Sequence, residues 1–272
     1  MSTAPDPPAR AVRISDLARW REAGQRFAML TAYDAPTARL LEAAGIPVLL
    51  VGDSVADAVL GRSGTVGVTL EEMVHHTAAV ARGTERALVV ADLPFGSYQV
   101  TVEDGMRAAL RLVGQGGAHA VKAEGAQVEL CARLVRAGVP FMGHVGLTPQ
   151  AVHQLGGYRV QGRDAQAAQR LQREAQELAE AGAFAVVLEA VPAALAAEIT
   201  AALPVPTIGI GAGAGCDAQV LVTHDLLGLG SGPAPRFVKA YADLAGVITD
   251  AATRFREDVA RGEFPDAEHA YD

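Results

Sequence analysis

Lysine is nearly missing from this chain of 272 residues: of 23 basic side chains only Lys122 and Lys239 are lysines, the rest being arginine. Positive charge is scarce overall, since 31 acids leave a net charge of -8. That balance provides no basic face to neutralise a phosphate backbone and argues against nucleic-acid binding. There are two cysteines, Cys131 and Cys216, with neither metal-ligand spacing nor a disulfide framework, which points to a reduced, cytoplasmic setting. No apolar run reaches the roughly 20 residues of a membrane span. The opening segment MSTAPDPPARAVRISDL lacks the basic-then-apolar order of a signal peptide. Low-complexity linkers and internal repeats are also absent.

Half of the residues are hydrophobic and a fifth are charged, the balance of a folded globular protein. The length suits one large domain, since α/β barrels run to roughly 250 residues as single units. The proline-bearing segment 1–11 reads as a disordered tail, 12–261 as the domain, and 262–272 as a frayed acidic end. Within the domain, short Val/Ile/Leu-rich runs alternate with amphipathic stretches. The runs lie at 27–31, 48–52, 87–91, 118–123, 140–145, 183–188, 206–210 and 220–223. They are continuous rather than alternating, as parallel strands buried on both faces require. Helices are predicted over 35–44, 70–82, 102–115, 126–137, 164–181, 192–202 and 235–261, with long loops at 55–69 and 146–163. Eight strands alternating with helices predict a (β/α)8 TIM barrel. A doubly wound open sheet is the alternative, but it would place a Gly-rich phosphate loop after the first strand, and TAYDAPTARLL stands there instead.

Barrel chemistry sits at the C-terminal strand ends, and these ends carry Asp34, Asp53 with Ser54, Asp92, Lys122 with Glu124, His144, Glu189, and His224 with Asp225. Such an acid often caps the next helix. Asp53, Asp92 and Glu124 nevertheless make an all-oxygen set suited to a hard divalent cation, Mg2+ first and Mn2+ second. Lys122, two residues before Glu124, points to the same face, where an ammonium needs a partner or a task; it could bind a substrate carboxylate or form a Schiff base. His144 reads as a substrate ligand, a neutral hydrogen-bond partner or a satisfied core residue. Glu189, closing the apolar run AFAVVL, is a candidate general base. His75 and His76 fall in a helical pattern and Lys239 in a solvated one. The glycine-rich GIGAGAG lacks the ending of a phosphate loop and reads as a tight barrel-end turn.

The segments VGDSVADAVLG, ADLPFGSY, AVKAEG, PFMGHVGLTPQ, GGYRVQGR, VVLEAVP and IGIGAGAGCDAQVLVTHDLLGL, in this order, resemble the ketopantoate hydroxymethyltransferase family. The resemblance implies a Mg2+-binding (β/α)8 barrel, a homodecamer in the cytoplasm. It implies transfer of a one-carbon unit from 5,10-methylenetetrahydrofolate to 3-methyl-2-oxobutanoate. By motif, Asp53, Asp92 and Glu124 match the metal-associated acids. Asp53, Ser54, Asp92 and Lys122 match the oxoacid-binding positions, His144 a substrate-site histidine and Glu189 the proton acceptor. The implied route is removal of the C3 proton, then aldol-like addition, with Lys122 acting electrostatically rather than through a Schiff base. Ala218 departs from the family's usual glycine, which bears on a local turn. The nearest rival is a phosphoenolpyruvate mutase or isocitrate lyase-like enzyme, which would more often show a Cys-containing gating loop after strand four; Cys131 instead falls in a helical pattern. A non-catalytic barrel that binds a metabolite would be expected to lose at least one of these acids.

Overall fold

The computed structural model describes residues 10–230 and 234–271, so most of the expected tail over 1–11 lies outside the described residues. Eight parallel strands close on themselves in sequence order: β1 (Phe27–Thr31), β2 (Val48–Val51), β3 (Leu88–Asp92), β4 (Ala120–Lys122), β5 (Phe141–Gly146), β6 (Ala185–Glu189), β7 (Thr207–Ile210) and β8 (Ala218–Leu221). The barrel and all eight strand positions agree with the sequence reading to within a few residues. Helices are α1 (Ile14–Glu22), α2 (Ala35–Ala43), α3 (Val55–Ala58), α4 (Leu70–Gly83), α5 (Val102–Gly114), α6 (Val128–Arg136), α7 (Val152–Leu155), α8 (Ala165–Glu180), α9 (Ala193–Ala202), α10 (Thr223–Leu226) and α11 (Leu244–Arg261).

Strand parity explains the continuous apolar runs. Alternate residues such as Val89, Ala91, Val121, Phe141, Val186 and Leu188 face the helices, against stripes such as Leu171, Ala175 and Leu178 of α8. Their neighbours Val90, Ala120, Met142 and Val187 fill the barrel interior. Two residues further along the same strands come Asp92, Lys122, His144 and Glu189, so these polar groups form the top interior layer.

Three features differ from the sequence reading. Helix α1 precedes the barrel, outside the strand–helix alternation, and its Leu17 joins Phe27 and Met29 in the interior cluster. The predicted loops contain short helical turns, Thr65–Gly67 and Pro149–Ala151 as well as α3 and α7. The single domain expected over 12–261 instead divides after Val222 into two compact units. In the second unit the helix expected from residue 235 begins at Leu244, where the Asp243 side chain accepts from the N–H of Gly246. The end beyond it is not wholly frayed, because the Phe264 ring packs on Phe255 at 5.3 Å.

Candidate active site

Four adjacent strands each place one side chain in a continuous polar chain. Lys122 Nζ of β4 lies 2.8 Å from Asp92 Oδ1 of β3 and 3.3 Å from His144 Nδ1 of β5. His144 Nε2 stands 3.4 Å from Glu189 Oε2 of β6, a close approach rather than an aligned hydrogen bond. An ammonium can only donate, so Nδ1 is the acceptor and the ring proton sits on Nε2, towards Glu189. Glu189 therefore has a polar neighbour, not the purely apolar surroundings its sequence context suggested. Gly146 makes this approach of β5 to β6 possible: its φ is 102°, and a Cβ there would meet Glu189 O at 2.2 Å.

Asp53 and Glu124 lie just beyond β2 and β4, each 5% exposed. The Asp53 N–H donates to Asp92 Oδ2 at 3.1 Å. Burial, followed by the charge of Asp92, pushes the Asp53 carboxyl up to about 7, against the opposing pull of Lys122 and Gln150. Glu124 is raised well above the ordinary carboxyl range by burial and then by Asp53. Burial alone would discharge Lys122, but Asp92, Glu124 and Asp53 outweigh it and hold its pKa above the usual lysine value. A lysine so firmly protonated is no nucleophile, which disfavours the Schiff-base reading. Ser54 turns to Tyr33, with 2.8 Å between their hydroxyl oxygens.

Not every strand-end group joins this cluster. Asp34 caps α2, its Oδ1 accepting from Thr37 N–H. His76 bonds the Tyr33 carbonyl at 2.8 Å and so ties α4 to the end of β1. The glycines after β7 serve a turn: Gly213 has φ 77° and its absent Cβ would come within 2.5 Å of Ala193. Ala218 begins β8 as a paired strand residue rather than a turn. Cys131 is buried in α6, its thiol pushed up to about 12 by burial, which does not suit a gating nucleophile.

Sequence reasoning missed two neutral participants. Gln150, 6% exposed, lies in the turn after β5. Its Nε2 donates to Asp53 Oδ2 at 2.8 Å and to the Leu93 carbonyl at 3.0 Å, and its backbone N–H donates to Glu124 Oε2 at 2.9 Å. Tyr98 donates its hydroxyl proton to Gln150 Oε1 at 2.6 Å. The segment GLTPQ was visible as a motif, but neither residue carries a charge that would single it out.

Among the described residues, no three carboxylate, imidazole or thiolate side chains gather into a metal cage; Gln150 N–H and Lys122 Nζ meet oxygens of Glu124 and Asp92. The donor set still fits a hard divalent cation. Asp53, Asp92 and Glu124 offer only carboxylate oxygens, and a single ammonium, Lys122, opposes the three acids. Asp53 and Asp92 are the side chains best placed to hold it. A cleft of about 710 Å³ opens at the same end of the barrel, between the loop after β2 at Arg62 and Val66 and the loop after β5 at Val152, His153 and Tyr158.

The sequence model of a family described as ketopantoate hydroxymethyltransferase matches residues 11–267. Proteins named 3-methyl-2-oxobutanoate hydroxymethyltransferase from Thermobifida fusca and Acidothermus cellulolyticus are 58% and 56% identical; the alignments cover 96% and 100% of this chain and 94% and 100% of theirs. One from Carboxydothermus hydrogenoformans is 54% identical over 96% of this chain and 95% of its own. Among solved structures, a phosphonopyruvate hydrolase superposes with a TM-score of 0.60 at 14% identity, over 96% of this chain and 92% of its own. A 2,3-dimethylmalate lyase of the PEP mutase/isocitrate lyase superfamily gives 0.58 at 16%, over 94% and 91%. These distant structures share the fold of the rival reading and no more.

Proposed function

The chain belongs to the ketopantoate hydroxymethyltransferase family, and from that premise we propose that it transfers a hydroxymethyl unit from 5,10-methylenetetrahydrofolate to 3-methyl-2-oxobutanoate, giving 2-dehydropantoate. The observation that carries the reading is the chain Asp92–Lys122–His144–Glu189 across four adjacent strands, flanked by Asp53 and Glu124. Mg2+ held by Asp53 and Asp92, with Glu124 beside them, would supply Lewis acidity at the keto oxygen and offset enolate charge.

The side chains divide the remaining work. Lys122 receives the oxoacid carboxylate as a fixed positive charge, with Ser54 bounding the same pocket. Glu189 takes the C3 proton as general base. His144, with Nδ1 committed to Lys122, turns its Nε2–H towards Glu189 and steadies the carboxylate before it accepts the proton. Water releases the one-carbon unit from the folate as formaldehyde, leaving tetrahydrofolate; the enolate carbon adds to that carbonyl carbon, and its oxygen takes the proton from Glu189 to become the product hydroxyl. The cleft between the β2 and β5 loops supports approach of this larger co-substrate from the same face. Assembly as a homo-oligomer, a decamer by family resemblance, is supported by the exposed apolar residues Val247, Ile248 and Phe255 on α11. A cytoplasmic location is supported by the free thiols of Cys131 and Cys216. Incubation with the oxoacid, the folate and Mg2+, followed by mass spectrometry, should show 2-dehydropantoate; its absence from a folded, Mg2+-supplied preparation would overturn the reading.

A further inference from the structure

We propose that Gln150 is a positioning residue for this reaction: oriented by Tyr98, it holds the carboxylates of Asp53 and Glu124 in fixed relation without touching the reacting atoms. The inference rests on the function proposed above. Its basis is that every hydrogen-bonding site of the Gln150 amide is used. Both Nε2 protons are given, to Asp53 Oδ2 at 2.8 Å and Leu93 O at 3.0 Å. Oε1 accepts twice, from Tyr98 at 2.6 Å and Gln99 Nε2 at 3.1 Å. A flipped amide would set its oxygen against the Asp53 carboxylate and the Leu93 carbonyl, losing both donated bonds, and would turn its NH2 towards that of Gln99.

The bonds also form a directed ring. The Glu124 N–H donates to the Tyr98 oxygen at 3.2 Å, Tyr98 donates to Gln150, and the Gln150 backbone N–H returns to Glu124 Oε2 at 2.9 Å. Two buried acids that repel each other are thereby held through one neutral residue, which adds no charge to the site. Outer partners that orient ligating carboxylates are worth about 10–100-fold in metal affinity or activity.

The test uses the full chain with Gln150→Met, Tyr98→Phe and the double substitution. Four quantities are read: thermal melting, Mn2+ affinity of the substrate-free protein, C3 deuterium exchange of 3-methyl-2-oxobutanoate without folate, and full turnover. Gln150→Met should melt as a folded protein, bind Mn2+ about tenfold more weakly, and lose exchange and turnover in parallel by about tenfold or more. Tyr98→Phe should lose less, and the double variant no more than Gln150→Met alone, because the pair acts as one unit. Wild-type Mn2+ affinity and exchange in Gln150→Met would overturn the proposal, as would multiplicative losses in the double variant. A fall in turnover with exchange intact would do so too, by moving the role to the folate step. Should Gln150→Met not fold, Tyr98→Phe decides by the same parallel fall of exchange and turnover. An inactive wild type would instead count against the function on which the proposal rests.

Discussion

At the scale of single residues, the proposed base and the paired acids give separable outcomes. Glu189→Gln keeps the shape beside His144 but removes the proton acceptor, so it should still bind 3-methyl-2-oxobutanoate while C3 deuterium exchange falls by roughly 100-fold or more; exchange at the wild-type rate would remove Glu189 from this role. Asp53 is raised from 3.8 to about 7. Between those values the folded protein holds a proton that the unfolded chain has released, so the cation-free protein loses stability as pH rises through the window. Mg2+ competes with that proton and should therefore raise the melting temperature more near about pH 8 than near about pH 5. Equal gains would place the cation away from Asp53. The charged members of the site were legible in the sequence because ionisable groups ended six successive apolar runs. Gln150 and Tyr98 were not, because their contribution is the direction of a hydrogen bond, which only the folded turn after β5 creates.

At the scale of elements, strand parity made the strands readable, since in β2 to β6 interior positions are matched by buried exterior ones. Helix α1 escaped because it stands before the first strand, outside the strand–helix alternation by which the others were read. The cleft depends on the first turn of α4. Thr69 Oγ1 accepts from the Glu72 N–H at 3.2 Å, while the Glu72 carboxylate accepts from the Thr69 N–H at 2.8 Å and from both Arg62 nitrogens. Arg62 also donates to the Gly67 carbonyl at 2.7 Å. One acid thus ties the 62–67 side of the cleft to a helix terminus. Thr69→Ala should lower stability to denaturant by about 1 kcal/mol. The Arg62 hydrogen bond, then the Thr69 N–H, lower the Glu72 carboxyl to about 2. Its contribution is therefore present above the ordinary value of 4.5 and is lost as pH falls towards about 2.

At the scale of the whole molecule, the alternating pattern revealed the barrel but not its limit at Val222, because α10 and α11 continue the amphipathic rhythm without contributing a strand. Helix α11 has no buried residue, and Phe255 is 56% exposed. If this face packs against other copies, Phe255→Glu should yield smaller particles by light scattering while the circular dichroism of the barrel is kept; unchanged particles would exclude α11 from the contact. The scarcity of lysine has a practical consequence as well. Lys122 is 5% exposed, ion-paired to Asp92 and held in its protonated, unreactive form. Lys239 is exposed in the second unit. An amine-directed reagent, the α-amino group aside, should therefore attach a dye or surface linker to one side chain per subunit, Lys239.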